Sequence, residues 1–274
     1  MPLRLCTLGD LLLDVIVRLE EPLAVGTDAQ ALTRTGAGGQ SANVAAWAAS
    51  LGADARFVGK RGDDAAGTLA AQELSRQGVE VFGPVAIGRT GVVVSLVDRD
   101  GDRTMATDRG VAPSLDADEL DHAWFDGCSH LHLSGYSVMS SPIDGAALAA
   151  AAIVRHAGGT LSVDLASTRI IRSFGTERLR LRLEELRPDV VFMNESELAA
   201  AGGPLPGSVR VIKRGAQGCT VEQDGERDDY DALPAEVVDT TGAGDALAAG
   251  FLVDGPELGL AAAARCVAKL GAMP

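Results

Sequence analysis

The chain of 274 residues lacks most of what marks a secreted, membrane-spanning or nucleic-acid-binding protein. Its four cysteines, Cys6, Cys128, Cys219 and Cys266, lie far apart without a C-x-x-C pair, which argues against a disulfide framework and a zinc site. Buried free thiols in a reducing cytosol are expected instead. No stretch approaches the ~18 uninterrupted apolar residues of a membrane helix. The opening "MPLRLCTLGDLLLDVIV" has neither the basic start nor the small-residue cleavage site of a signal peptide, and it reads as a first core strand. A soluble, cytoplasmic protein is expected. Basic residues are scarce as well: 24 Lys+Arg against 38 Asp+Glu leave a net charge of −14, which argues against a nucleic-acid or anionic-membrane partner. A small anion held locally by backbone amides is still allowed.

Two phosphate-binding fingerprints are missing from the segment that most suggests one, "VVDTTGAGDALAAGFL", Val237 to Leu252. A dinucleotide turn needs a third glycine where Leu247 stands, so an NAD-dependent oxidoreductase is disfavoured. A Walker A loop needs Lys-Ser/Thr where Asp245-Ala246 follow. What the segment does have is a β-branched pair, Val237-Val238, read as a strand end, then a glycine turn, then Ala/Leu-rich helix from Ala243. Amides at a helix start lack intrahelical partners and carry the positive end of the peptide dipoles. Such a cradle would hold phosphoryl oxygens on Ala243, Gly244 and Asp245, with the Asp245 carboxylate placed to take a proton from a hydroxyl. On this segment alone, a plain first-turn acid explains Asp245 equally well.

Hydrophobic residues make up 46% of the chain, enough for a large core in one domain over residues 1–274. Strand-like runs at Leu5–Leu8, Ala55–Val58, Val92–Val97, His130–Leu133, Leu161–Val163, Val190–Met193 and Val209–Ile212 alternate with helix-like segments. That alternation predicts an α/β fold with a largely parallel sheet. Ser41 is expected to cap a helix over Ala42–Leu51 that stops at Gly52, and Pro188 to close a helix beginning near Thr176. Two helix-free regions, approximately 10–35 and 79–107, are expected to pair into a small separate sheet. His130 and His132 alternate on one strand face with no third ligand at a metal-site spacing, so they read as core or edge histidines.

Over nearly its whole length the chain resembles the ribokinase-like (PfkB) carbohydrate kinase family. "DTTGAGDALAAGFL" is similar to that family's C-terminal signature, and "GAGGQSANVAAWAASLGADARFVGKRGDDAAG", Gly36 to Gly67, to its N-terminal one. "GDLLLD", "NESE" and "KRGAQG" also fall at the family's places, in order. The resemblance implies a three-layer α/β/α fold with a small β-sheet lid, often a dimer interface. It further implies ATP- and Mg2+-dependent transfer of a phosphoryl group to a hydroxyl of a sugar or sugar-like molecule, or of a nucleoside. Asp245 would be the base, and Gly242, Ala243 and Gly244 would complete the anion hole. Asp14, Gly38, Gly39 and Asn43 would contact the sugar: bare glycines allow close approach, and Asn43 offers a donor and an acceptor. Asn194 and Glu197 would lie by the magnesium and phosphates, acting through water, although N-capping alone explains Asn194. Lys213, Gly215 and Gly218 would border the nucleotide, the glycines as backbone-driven positions. Asp239, with the Thr240/Thr241 carbonyl region, resembles a monovalent-cation (K+) site. A sugar- or nucleotide-sensing protein without turnover is the alternative, and retention of Asp245, Asn194 and Glu197 speaks against it.

Two departures bear on specificity. The ending "CVAKLGAMP" comes early, so the helix Leu258–Leu270 would have to wall the adenine; "HLHLSGYS" lacks the glutamate that ribokinases proper place near the sugar. Arg103, Arg109 and Arg169 stand near the expected sugar site. They read either as partners of Asp100, Asp102, Asp108 or other acids, or, for Arg109 in a "DRGVA" context similar to sugar-acid kinases, as a fork onto a substrate carboxylate.

Overall fold

Residues 3–23, 25–98, 103–203 and 205–274 are described by a computed structural model, Arg103 by its backbone alone. Strand β1 (Arg4–Leu8) leads into β2 (Leu12–Leu19), β3 (Ala31–Gly38), helix α1 (Gln40–Ser50) and β4 (Asp54–Val58). Then come β5 (Arg61–Gly62), α2 (Ala65–Arg76), β6 (Glu80–Phe82), β7 (Val85–Ala86), β8 (Thr90–Val97) and β9 (Arg103–Gly110). The next stretch holds β10 (His130–Ser134), α3 (Gly135–Val138), α4 (Ile143–His156), β11 (Thr160–Asp164), α5 (Thr168–Phe174) and α6 (Thr176–Leu186). Last are β12 (Val190–Asn194), α7 (Glu195–Ala200), β13 (Val209–Lys213), β14 (Cys219–Gln223), β15 (Glu226–Tyr230) and α8 (Ala243–Val267).

Nine strands form the main sheet in the order β15-β14-β13-β12-β11-β10-β1-β4-β6, and only the β13-β14-β15 end is antiparallel. A parallel sheet covered on both faces needs apolar side chains on both, which is why its strands read as continuous apolar runs. In β1, Leu5 packs with Val44 and Trp47 of α1 and the small residues of α8, while Cys6 and Leu8 face the α4 side with Leu131 and Leu133. Phe192 and Met193 divide between the two faces in the same way. The result is the expected three-layer α/β/α arrangement. All seven predicted strand runs are strands; Val92–Val97 lies in the small sheet rather than the main one.

The small sheet has the order β3-β2-β8-β9 and stands apart from the main one. Its bounds are shifted from those expected, with β3 running on to Gly38. β6 pairs with β4 at the main-sheet edge and β7 pairs with β5, so residues 79–89 serve other sheets, while β9 continues to Gly110.

Two local expectations fail. Ser41 does not cap α1: it lies inside the helix, and its buried hydroxyl donates to the Leu8 carbonyl, tying α1 to the end of β1. Val237-Val238 does not end a strand, because the amides of Val238 and Asp239 donate to the Val267 carbonyl at the end of α8 instead of to a ladder partner. Helix α8 has the length and apolarity of a bilayer span, but it is broken at Asp254-Gly255, ahead of Pro256. Its halves fold against each other so closely that a Cβ on Gly250 would stand 2.6 Å from the Leu258 carbonyl oxygen. The second half is thereby turned back toward the site.

Candidate active site

Five neighbouring parallel strands deliver a polar residue to one rim of the sheet. β10, β11, β12 and β13 end on Ser134, Asp164, Asn194 and Lys213, and Asp10 follows β1. In open α/β sheets, ligands bind beyond the carboxyl ends of the strands, where the connections change direction. Here that point lies between β1, which leads on to β4, and β10. A cavity of about 840 Å³ occupies the rim. One end is walled by Leu12, Asp14, Val93 and Thr107 of the small sheet, and the other by Leu260, Ala263 and Val267 of the returning half of α8. The helix expected to wall the adenine thus lines the cavity.

Between the two ends lies the turn of "TTGAGD". Gly242 enters α8 at φ +78°, and a Cβ there would stand 2.6 Å from Ala272, so the chain's last residues pack directly beneath the turn. Trp47 donates to the Ala272 carbonyl at 2.7 Å and holds them in place. α8 carries no side-chain cap, and Gly242, Ala243, Gly244 and Asp245 all line the cavity. The Ala243 amide donates to the Thr240 carbonyl at 3.4 Å, and no side chain caps the rest of the first turn, which is where a helix has donors to offer a ligand.

Asp245 accepts a hydrogen bond from Asn43 Nδ2 at 2.7 Å. Burial pushes its carboxyl up to about 7, only partly countered by that bond. Asn43 is 6% exposed and its Oδ1 has no partner, an unmet acceptor at the cavity wall. Buried polar atoms are rarely left that way, and a ligand hydroxyl would satisfy it. Asp14 lies on β2 beside the cavity, and burial raises its pKa to about 7 as well. The two glycines expected to admit the sugar have a nearer reason. A Cβ on Gly38 would collide with the Asp14 carboxylate at 2.0 Å, and Gly39, at φ +104°, with the Asp10 carbonyl at 2.2 Å.

Lys213 gives its ammonium to Asp164 at 2.6 Å and lies 3.2 Å from where a Gly244 side chain would begin. Burial opposes its charge, but Asp164 and Glu197 outweigh burial and raise its pKa. A fixed cation therefore stands over the uncapped turn. Gly215 and Gly218 line the cavity at positive φ, and a Cβ on Gly218 would meet the Tyr230 carbonyl oxygen at 1.9 Å. Backbone geometry accounts for that glycine.

Asn194 and Glu197 form a closed capping box at the start of α7. Glu197 N donates to Asn194 Oδ1 and Asn194 N to Glu197 Oε2, both at 2.8 Å. Both residues line the cavity. Burial and the Asp164 charge raise the Glu197 pKa against the opposite pull of Lys213. Asp239 is 2% exposed and spends its carboxylate on the chain itself: Oδ1 takes the amide and hydroxyl of Thr241, and Oδ2 the Gly271 amide at 2.9 Å.

Arg109 reaches the cavity from the end of β9, and of its two expected readings the structure shows the pairing with an acid of the chain: its fork is closed on Asp10 rather than open for a substrate carboxylate. Nε and Nη2 donate to the two Asp10 oxygens at 2.5 and 3.0 Å. Arg169 is exposed and off the cavity. Asp108 pairs with Arg89, whereas Asp100, Asp102 and the Arg103 side chain lie outside the described residues. His130 and His132 are core histidines bonded to Thr160 and Ser162, and burial lowers their pKa values to about 3 and about 4.

Sequence reasoning passed over Asp10 and Asp164, the buried partners of the two cavity cations. Both follow apolar strand runs directly, in "TLGD" and "LSVD", where a strand end at the sheet rim brings a side chain to the ligand.

Comparison with known proteins bears on this geometry. The chain is 33% identical over 260 residues to an ATP-dependent ribose-1-phosphate kinase of Halopiger xanaduensis, covering 91% of this chain and 83% of that protein. It is 31% identical to a fructokinase of Klebsiella pneumoniae, over 78% of this chain and 75% of the other. Among solved structures, adenosine kinase from Sinorhizobium meliloti superposes with a TM-score of 0.85 at 24% identity, covering 100% of this chain and 96% of that one. An E. coli chain solved with ATP and Mg2+ superposes at 0.83 with 23% identity, covering 99% and 94%. The model of the pfkB family carbohydrate kinases matches residues 3–273, and the protein belongs to that family.

Proposed function

We propose that the protein transfers the γ-phosphoryl group of ATP to a hydroxyl of a sugar or nucleoside, with Asp245 as general base. The observation that carries this reading is the pairing of an uncapped helix start with a carboxyl whose pKa burial lifts to about 7. A base serves best near the working pH, and developing phosphoryl charge is best met by donors already in place. The acceptor hydroxyl gives its proton to Asp245 as its oxygen bonds to the γ-phosphorus, and the bond to the β-phosphate oxygen breaks to release ADP. Asn43 orients Asp245 and offers its unmet Oδ1 to the acceptor, and Asp14 accepts hydrogen bonds from the acceptor's other hydroxyls on the small-sheet side. The Gly244 and Asp245 amides and Lys213 hold the transferring phosphoryl, and the α8 wall receives the base.

The donor set suits Mg2+. Glu197 is a buried carboxylate with one oxygen spent on the cap, and Asn194 stands beside it, so both would hold the ion through its waters. Bound magnesium would neutralise phosphate charge. Potassium is left out of the mechanism, since both Asp239 oxygens are already engaged. The same reading includes a reducing cytoplasm, which suits four free buried thiols, and a dimer through the small sheet, whose edge strand β3 exposes Leu32. The test is ADP release from magnesium-ATP over a panel of sugars, sugar acids, sugar phosphates and nucleosides. Release above background with at least one acceptor is expected, and none with any of them would end the kinase reading.

A further inference from the structure

Two cations line the cavity among the described residues, Arg109 and Lys213, and each is already matched by a buried carboxylate. For Arg109 four of the five N–H donors have partners. Besides the two bonds to Asp10, Nη1 donates to Ser140 Oγ at 3.0 Å and Nη2 to the Tyr136 carbonyl at 3.3 Å, and the Tyr136 ring centroid lies 5.3 Å from the guanidinium carbon. Asp10 is 6% exposed, so the pair is shielded from the solvent that would loosen a surface ion pair. Asp14 and Asp245, in contrast, line the cavity with no ion-pair partner among the described residues. Arg103 stands at the far end of β9, opposite Val97, while Thr107 beside the cavity pairs with Val93. Among the described residues, the acceptor end therefore holds two unmatched acids and no free cation.

We infer that Asp10 is the residue that sets the charge of the acceptor: by taking both arms of the Arg109 fork, it makes the site a receptor for a neutral polyhydroxyl molecule. A phosphate- or carboxylate-bearing acceptor would face Asp14 and Asp245 with nothing to neutralise it, and like charges in a shielded site are strongly disfavoured. This rests on the kinase reading and parts from the relative of Halopiger xanaduensis, whose named acceptor carries a phosphate. Asp10 acts through Arg109, as a positioning residue.

The experiment compares kcat/KM for D-fructose, D-ribose and adenosine with that for D-ribose 1-phosphate and D-gluconate, at fixed magnesium-ATP, in the wild type and in Asp10→Asn. The wild type should favour its best neutral acceptor over either anion by roughly 10²-fold or more. Asp10→Asn frees a guanidinium that an anion can fork onto, so the anion-to-neutral ratio should rise at least about tenfold. A loss of packing alone would depress both acceptor classes and leave the ratio where it was. The double variant Asp10→Asn with Arg109→Gln should remove the gain. A wild type that prefers an anionic acceptor overturns the inference whether or not the variants fold, and so does a folded Asp10→Asn with an unchanged ratio. Absence of transfer to every acceptor overturns the kinase reading itself, a different and separately visible failure.

Discussion

Two helices begin at the same cavity, and they begin in opposite ways. α7 closes on itself: Asn194 and Glu197 exchange side-chain and backbone hydrogen bonds, and a buried carboxylate is fixed in the process. α8 starts on Gly242 with no side-chain cap, and its first turn lines the cavity beside the ammonium of Lys213. A helix start satisfied from within has little left to offer a ligand, while one left open is completed only by something that arrives. One cavity thus meets two different helix starts, one closed around a buried carboxylate and one without a side-chain cap beside Asp245, which on the proposed function serves as an anion receptor with its own base.

The contrast is broken most severely at Asp245. Asp245→Asn is nearly isosteric and keeps an oxygen that can accept from Asn43, but an amide cannot take the acceptor's proton. A fall in kcat of about 10²–10⁴ is expected, with ATP binding retained because the amides and Lys213 are untouched. Single-turnover rates and nucleotide titration check this together. A variant with more than half of wild-type kcat would remove Asp245 from proton transfer and leave α8 as a phosphate cradle only.

Glu197 sharpens the comparison from the other side, with a smaller effect. A capping box accepts Gln as readily as Glu at its third position, so Glu197→Gln should preserve the α7 start while removing the charge. The magnesium concentration for half-maximal rate should then rise several-fold more than the acceptor KM, with the melting temperature held or raised. Glu197→Ala would instead lose the half of the box that accepts from the Asn194 amide, while Asn194 still caps the residue-197 amide. If Gln and Ala titrate alike in magnesium, and both like the wild type, Glu197 is a structural cap and nothing more.

Much of this was legible in the chain because parallel strands and helix starts leave local marks. β1, β4 and β10 to β13 showed as apolar runs, and the glycine turn before Ala243 showed as a helix start. What stayed hidden depends on partners far away in sequence. Ser41 looks like a cap until the Leu8 carbonyl claims its hydroxyl, and Val237-Val238 looks like a strand until α8 returns to offer the Val267 carbonyl. Ala272 is held by Trp47 against the turn, a contact across 225 positions. Arg109 is the sharpest case: "DRGVA" correctly brings an arginine to the cavity, but only the fold shows that Asp10 occupies it first.

The smallest effect concerns the stability cost of keeping an acid at the open helix start. Burial raises the carboxyls of both Asp14 and Asp245 from 3.8 to about 7 in the folded state. Between those values the folded protein holds protons that the unfolded chain has released, so stability falls as pH rises through this window. Below about pH 4 both states are protonated and the cost vanishes; above about pH 7 both are ionised and it is complete. Asparagine does not titrate. Asp245→Asn should therefore melt close to the wild type near pH 4.5 and several degrees above it at pH 8, since about 1 kcal/mol moves the melting temperature of a protein this large by roughly 2–4 °C. Melting curves from pH 4.5 to 8 that run parallel for the two proteins would mean that Asp245 is as well solvated folded as unfolded. The open start of α8 would then hold its acid at no cost, and the case for a base tuned by burial would fall with it.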